Sequence, residues 1–120
     1  MGENTIIKGI RGAITVEENS VEAIREGTLT LIDEMLAKNN IDISKISHVI
    51  FTVTSDLTKA FPAKFARTER GFKDTAMMCF NEANIENALQ KCIRILIVIN
   101  CEESFIPQFV YLRGAQNLRG

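Results

Sequence analysis

Arg94 stands in the middle of Cys92-Ile93-Arg94-Ile95-Leu96-Ile97-Val98, the most strand-like run of the chain. Alternate side chains of a strand point to opposite faces, so Ile93, Ile95, Ile97 and Ile99 share one face, and Cys92, Arg94, Leu96 and Val98 the other. A guanidinium on so apolar a strand is costly unless an acceptor meets it, and it cannot escape by losing its proton. Two partners suit the position: an internal carboxylate, with Glu82 the candidate, or the carboxylate of a ligand. Arg11 is a second strand arginine, between Ile10 and Gly12, and the glycine leaves room beside it. Lys64 and Arg67 lie three apart and share a helix face, and Arg119 is one residue from the C-terminus. Each reads alone as surface charge. Together the arginines are planar, bidentate partners for carboxylates. Glu82 follows a strand in Phe80-Asn81-Glu82-Ala83-Asn84, Tyr111 is the only tyrosine, and Cys79 ends a short strand close to Glu82. Such residues suit the binding and rearrangement of a small, multiply anionic molecule.

Other chemistries lack their parts. The one histidine, His48, opens a strand and reads as structural or exposed. No His pair has metal-ligand spacing, no Cys-x-x-Cys occurs, and no Ser, His and Asp set can be assembled. Neither a phosphate-cradling glycine loop nor a dinucleotide fingerprint is present. No metal and no cofactor is therefore expected. With 46% apolar residues, 24% charged residues and a net charge of −1, nothing points to nucleic acid or a membrane. The polar, acidic N-terminus does not read as a secretory leader. Three cysteines (Cys79, Cys92 and Cys101) without paired spacing argue against a disulfide framework. A cytoplasmic setting is expected.

The elements that must position these residues are legible in outline. At 120 residues the chain is the size of one domain, taken as residues 1–120. Thr5 to Val16 reads as a strand in which Gly9 and Gly12 mark a bulge or a close approach to the backbone. Asn19 followed by Glu22 resembles a capping box. Val21, Ile24, Thr28, Leu31, Ile32, Met35 and Leu36 then recur at helical spacing toward Asn39. Glu22, Arg25, Glu26 and Asp33 form the solvated face. Ser44 to Ile46 suits a short turn and His48 to Thr54 a strand. Ala60 to Arg70 suits a helix opened by Pro62 and closed by Gly71. Thr75 to Phe80, Lys91 to Cys101 and Gln108 to Leu112 complete five strands. The fold class is α+β: a mixed five-stranded sheet with helices on one face. The other face is left uncovered, which predicts a small homo-oligomer.

The stretches Gly9-Ile10-Arg11-Gly12-Ala13, Phe61-Pro62-Ala63-Lys64, Arg67, Cys79 with Glu82, Lys91-Cys92-Ile93-Arg94, Val110-Tyr111-Leu112 and Leu118-Arg119 resemble, in order, the monofunctional chorismate mutases of the trimeric α/β-barrel type. The resemblance runs from about Ile7 to Arg119. It implies a trimeric pseudo-α/β barrel with active sites in clefts between subunits. It implies the Claisen rearrangement of chorismate to prephenate, a step toward phenylalanine and tyrosine, without covalent catalysis. Carried over, Arg94 would hold a substrate carboxylate and the ether oxygen, and Arg11 and Tyr111 the side-chain carboxylate. Glu82, with the backbone near Cys79, would accept the ring hydroxyl and balance Arg94. Phe61 and Leu118 would form apolar wall, and Lys64, Arg67 and Arg119 would belong to the substrate-binding set at the mouth. Met77 and Met78 depart from the smaller residues usual along that site, and Asn81 from a commoner glutamine. The chain ends at Gly120, where relatives continue with a short tail over the cleft. Alternatives are a non-catalytic trimeric sensor of aromatic-pathway acids, a trimer like the imine deaminases, and a structural trimer whose arginines close interfaces.

Overall fold

The computed structural model describes residues 5–118. Strand β1 (Thr5–Thr15) leads into helix α1 (Val21–Lys38), and a 3-10 turn at Ile43–Lys45 precedes β2 (Ile46–Val53). Helix α2 (Pro62–Glu69), β3 (Ala76–Asn81), β4 (Cys92–Glu102) and β5 (Val110–Leu112) follow. The five strands form one sheet in the order β3-β2-β4-β1-β5. β4 runs antiparallel to both β1 and β2, and β5 joins β1, and β3 joins β2, in parallel. The expected mixed sheet is therefore present, with the most apolar strand at its centre.

Register divides the side chains between the two faces. Ile10 and Ile14 of β1, Val49 and Phe51 of β2, and Ile93, Ile95 and Ile97 of β4 are buried beneath the helices. Ile24, Leu31, Ile32 and Met35 of α1 pack into the same core. Each such apolar side chain contributes roughly 1.5–3 kcal/mol on burial. The opposite face presents Arg11, Ile50, Thr52, Met78, Phe80, Arg94, Leu96 and Tyr111, as the alternation requires. The helices thus lie on one side only. One end of the open face is covered by this chain itself, because Ala115, Leu89 and Leu118 pack over Ala13 and Cys92.

Three local expectations are corrected. Ser20 caps α1, its hydroxyl accepting from Ala23 N at 3.0 Å. Asn19 instead ties the turn to a distant loop, accepting from Thr58 N and donating to Thr58 Oγ1, both at 2.9 Å. The cap lies one residue later than the Asn19–Glu22 pair suggests because Asn19 has a better long-range use. No bulge interrupts β1, whose pairing with β4 is continuous from Thr5 to Thr15. The close approach is real, but it lies on the helix side: a Cβ on Gly12 would stand 2.4 Å from Met35 Sδ. The room at Gly12 serves α1 rather than Arg11, whose side chain is on the other face. Gly71, with φ +80°, ends α2 in the left-handed backbone that glycine tolerates best.

Two polar clamps deliver the strands that carry functional side chains. Asp56 accepts from Lys91 N through both carboxylate oxygens, at 3.0 and 3.2 Å, and Thr54 Oγ1 accepts from Cys92 N at 3.0 Å. Lys91 has φ +49°, a left-handed conformation that a residue carrying a Cβ adopts at a cost its surroundings must offset. The clamp therefore sets where β4 begins, two residues before Arg94. Asn39, buried at the end of α1, donates through Nδ2 to Met35 O and Gln108 O at 3.0 and 2.9 Å and accepts from Gln108 N at 2.7 Å. It anchors the segment that becomes β5 and carries Tyr111. Truncating Asn39 to alanine removes two part-buried hydrogen bonds to the Gln108 backbone, each worth about 0.5–1.5 kcal/mol. Asn39→Ala is expected to lower the urea midpoint with an unchanged m value.

Candidate active site

Arg94 rises from the centre of the open face, a third exposed, with Glu82 beside it at 18% exposure. Arg94 Nε lies 3.0 Å from Glu82 Oε2, an ion pair without the alignment of a hydrogen bond. The same oxygen accepts from Thr52 Oγ1 at 2.7 Å. Glu82 is brought there by β3, its N–H bonding Val53 O at 2.9 Å as the β2–β3 pairing runs out. The internal carboxylate foreseen for Arg94 is therefore present. The pair does not form a hydrogen-bonded fork, however, so the guanidinium keeps donors for a second anion.

A cavity of about 240 Å³ opens on this face, lined by Arg11, Thr52, Arg94, Leu96, Tyr111 and Leu118 among others. Four residues named from the sequence thus converge: Arg11, Arg94, Tyr111 and Leu118. The Tyr111 hydroxyl is buried and makes no hydrogen bond among the described residues. An unmet buried hydroxyl costs about 1–3 kcal/mol, so this group calls for a polar partner. A larger, polar cleft of about 480 Å³ is lined by Arg94 and Glu82 themselves, with Asp56, Asn84, Glu86 and Gln90.

The remaining residues lie elsewhere in the chain. Phe61 and Cys79 line a separate cleft of about 320 Å³ with Val53, Leu57, Phe80 and Asn81. Phe61 is 72% exposed because it is the last residue before Pro62 starts α2. Lys64 and Arg67 are exposed on α2 and border none of these cavities. Met77 and Cys79 face the helices and pack on the core, whereas Met78 and Phe80 are on the open face. The two methionines therefore do not line one wall. Arg119 lies outside the described residues. His48 sits at the β2 irregularity, its ring Nδ1 3.0 Å from Ser47 Oγ.

Two of the thiols are held protonated by burial. All three cysteines are free. Burial pushes the Cys92 thiol up to about 11, against a smaller opposing pull from Arg94, and burial also raises Cys79. Both are neutral at physiological pH and unsuited to nucleophilic attack. Among the described residues no three His, Cys, Asp or Glu side chains converge on a metal-sized site, and no helix is long and apolar enough to cross a membrane. Thr52 and the Thr54–Asp56 clamp were missed by sequence reasoning. A threonine in a β-branched run signals only strand, and its acceptor lies 30 positions away.

Comparison with known proteins agrees with this geometry. The model of the family described as chorismate mutase type I matches residues 7–120. A chorismate mutase AroH of Thermus thermophilus is 42% identical over 119 residues, covering 95% of this chain and 94% of the relative. Chorismate mutase AroH of Bacillus subtilis (strain 168) is 31% identical over 118 residues, covering 95% and 91%. A solved chorismate mutase structure from Clostridium thermocellum superposes with a TM-score of 0.87 at 41% identity, covering 92% of this chain and 98% of the other. The chain belongs to the chorismate mutase type I family.

Proposed function

We propose that this protein rearranges chorismate to prephenate by fixing the substrate's reactive conformer and stabilising charge on its ether oxygen. The observation that carries the reading is a guanidinium whose closest approach to Glu82, 3.0 Å at Nε, is not aligned as a hydrogen bond, in a cavity shared with Arg11 and with Tyr111, whose hydroxyl has no hydrogen-bond partner among the described residues. The Claisen rearrangement is intramolecular and pericyclic, so it uses no nucleophile. What it rewards is placement and fixed charge. As the carbon–oxygen bond breaks, negative charge grows on the ether oxygen. A pre-placed Arg94 meets it without reorganisation, which favours the transition state over the ground state. Arg11 and Tyr111 grip the side-chain carboxylate and hold the chain of the substrate folded over its ring. Glu82 accepts the ring hydroxyl and balances Arg94.

The site is proposed to be completed by a neighbouring copy in a trimer. Arg11, Arg94 and Tyr111 lie in one cavity, whereas Phe61 lines another and Arg67 lines none. Residues that serve one substrate but sit apart in one chain are what a shared cleft produces. The exposed apolar side chains Met78 and Phe80 on the uncovered sheet face support burial by a second copy. In this reading Lys64, Arg67 and Arg119 draw the second carboxylate at the mouth, and the enzyme works in the cytoplasm within aromatic amino-acid biosynthesis.

Chorismate absorbance is expected to fall with prephenate formed, without added metal or cofactor and unaffected by chelator. Tight binding of a bicyclic transition-state mimic without turnover would favour the sensor reading. Arg94→Lys is expected to lower kcat by about 10²–10³-fold or more, since a point charge cannot serve carboxylate and ether oxygen together. Near-normal turnover would remove Arg94 from its central role. Mixing Arg94→Ala with Arg67→Glu chains should restore activity to roughly a quarter of wild type if the two residues come from different copies of a trimer. Activity no greater than that of the separate variants would show that each site is made by one chain.

A further inference from the structure

Thr52 lies on β2, between the strand that delivers Glu82 and the strand that carries Arg94. Its Cα partners are Arg94 on β4 and Phe80 on β3, so its side chain rises from the open face between carboxylate and guanidinium. It lines the cavity that holds Arg11, Arg94 and Tyr111. Its hydroxyl donates to Glu82 Oε2 at 2.7 Å, the oxygen that Arg94 Nε approaches at 3.0 Å. The direction of this hydrogen bond is dictated. An ionised carboxylate only accepts and a guanidinium only donates, so the threonine proton goes to Glu82.

A carboxylate beside an arginine ordinarily settles into the bidentate fork, with two parallel N–H···O bonds. Here it does not: one oxygen serves both Thr52 and Arg94, and the contact to Nε is poorly aligned. Thr52 is the one hydrogen-bond donor given to the Glu82 side chain among the described residues. It is therefore what resists rotation of the carboxyl about its last torsion, which is intrinsically soft.

We propose that Thr52 is a positioning residue for the rearrangement: its hydroxyl holds the Glu82 carboxylate out of the fork, so that the Arg94 Nη groups stay available to substrate. The inference rests on the reading of Arg94 as the cation at the ether oxygen. Without the hydroxyl, Glu82 turns onto Arg94 and takes up a donor that the transition state needs. Arg11 and Tyr111 still hold the substrate, so binding survives while the chemical step slows.

The test compares wild type, Thr52→Val and Thr52→Ser in kcat and KM for chorismate, with Thr52→Ala in reserve should the valine variant fail to fold. Hydrogen bonds to charged groups are worth enough that Thr52→Val should lose about ten- to a hundredfold in kcat, with KM changed by no more than about threefold. Thr52→Ser, which keeps the donor, should recover to within about threefold of wild type. The loss should also shrink when the same substitution is made in a Glu82→Gln background, because the two act through one contact. Wild-type kcat in Thr52→Val overturns the inference while leaving the proposed activity intact. So does a serine variant as impaired as the valine one, or a loss undiminished beside Glu82→Gln. Absence of turnover in wild type overturns both.

Discussion

A charge that cannot be shed, placed on the central strand of the sheet, is the constraint around which this fold is arranged. Arg94 sits on β4 with β1 on one side and β2 on the other. Its neighbours along the strand, Ile93 and Ile95, are driven under the helices, so Arg94 is driven to the open face. A slip of one residue in register would bury the guanidinium in the isoleucine core and expose the isoleucines instead. The same alternation that secures the core therefore secures the direction of the cation. The Asp56 and Thr54 clamp does the rest by fixing where the strand starts, holding Lys91 in a backbone conformation it would not choose alone.

The electrostatic composition of the site follows from how its neighbours titrate. Cys92 precedes Arg94 by two positions on the same face, yet burial keeps its thiol protonated to about 11. It adds no charge at neutral pH. Glu82 compensates one positive charge, and Arg11 and Arg94 together supply two within the cavity's surroundings. The excess is positive, which suits an anionic substrate and a transition state whose charge moves toward oxygen. Fixed charge of this kind acts only if it does not relax, and Thr52, Asn39 and the β4 clamp are each a device against relaxation.

The parts of this arrangement that were legible in the sequence are those that depend on period. The alternation around Arg94 revealed its face and its need for an anion, and the helical spacing from Ile24 to Met35 revealed α1. The order of seven short matches revealed the family. What escaped depended on partners distant in sequence. Asn19 reads as a cap until Thr58 is seen to hold it. Gly12 reads as room for Arg11 until Met35 is seen to fill the opposite side. Met77 and Met78 both read as lying along the site until the pleat is seen to separate them. Lys64 and Arg67 share a helix face as their spacing requires, but sharing a face says nothing of which cavity that face borders.

The division of the site residues between separate clefts has an energetic consequence for the proposed trimer. Substrate gripped by Arg11, Arg94 and Tyr111 of one copy and by Phe61 and Arg67 of another binds the assembled state alone. Anything that binds one state alone stabilises it by mass action, so substrate would tighten the trimer as the trimer organises the site. The partly exposed guanidinium and the unmet Tyr111 hydroxyl then share one origin with the exposed Phe61. In the proposed trimer each would be a surface left imperfect in the single chain because its complement would arrive with the neighbour or with the ligand. A chain that satisfied all three internally would gain stability as a monomer and would have nothing left with which to hold a dianion.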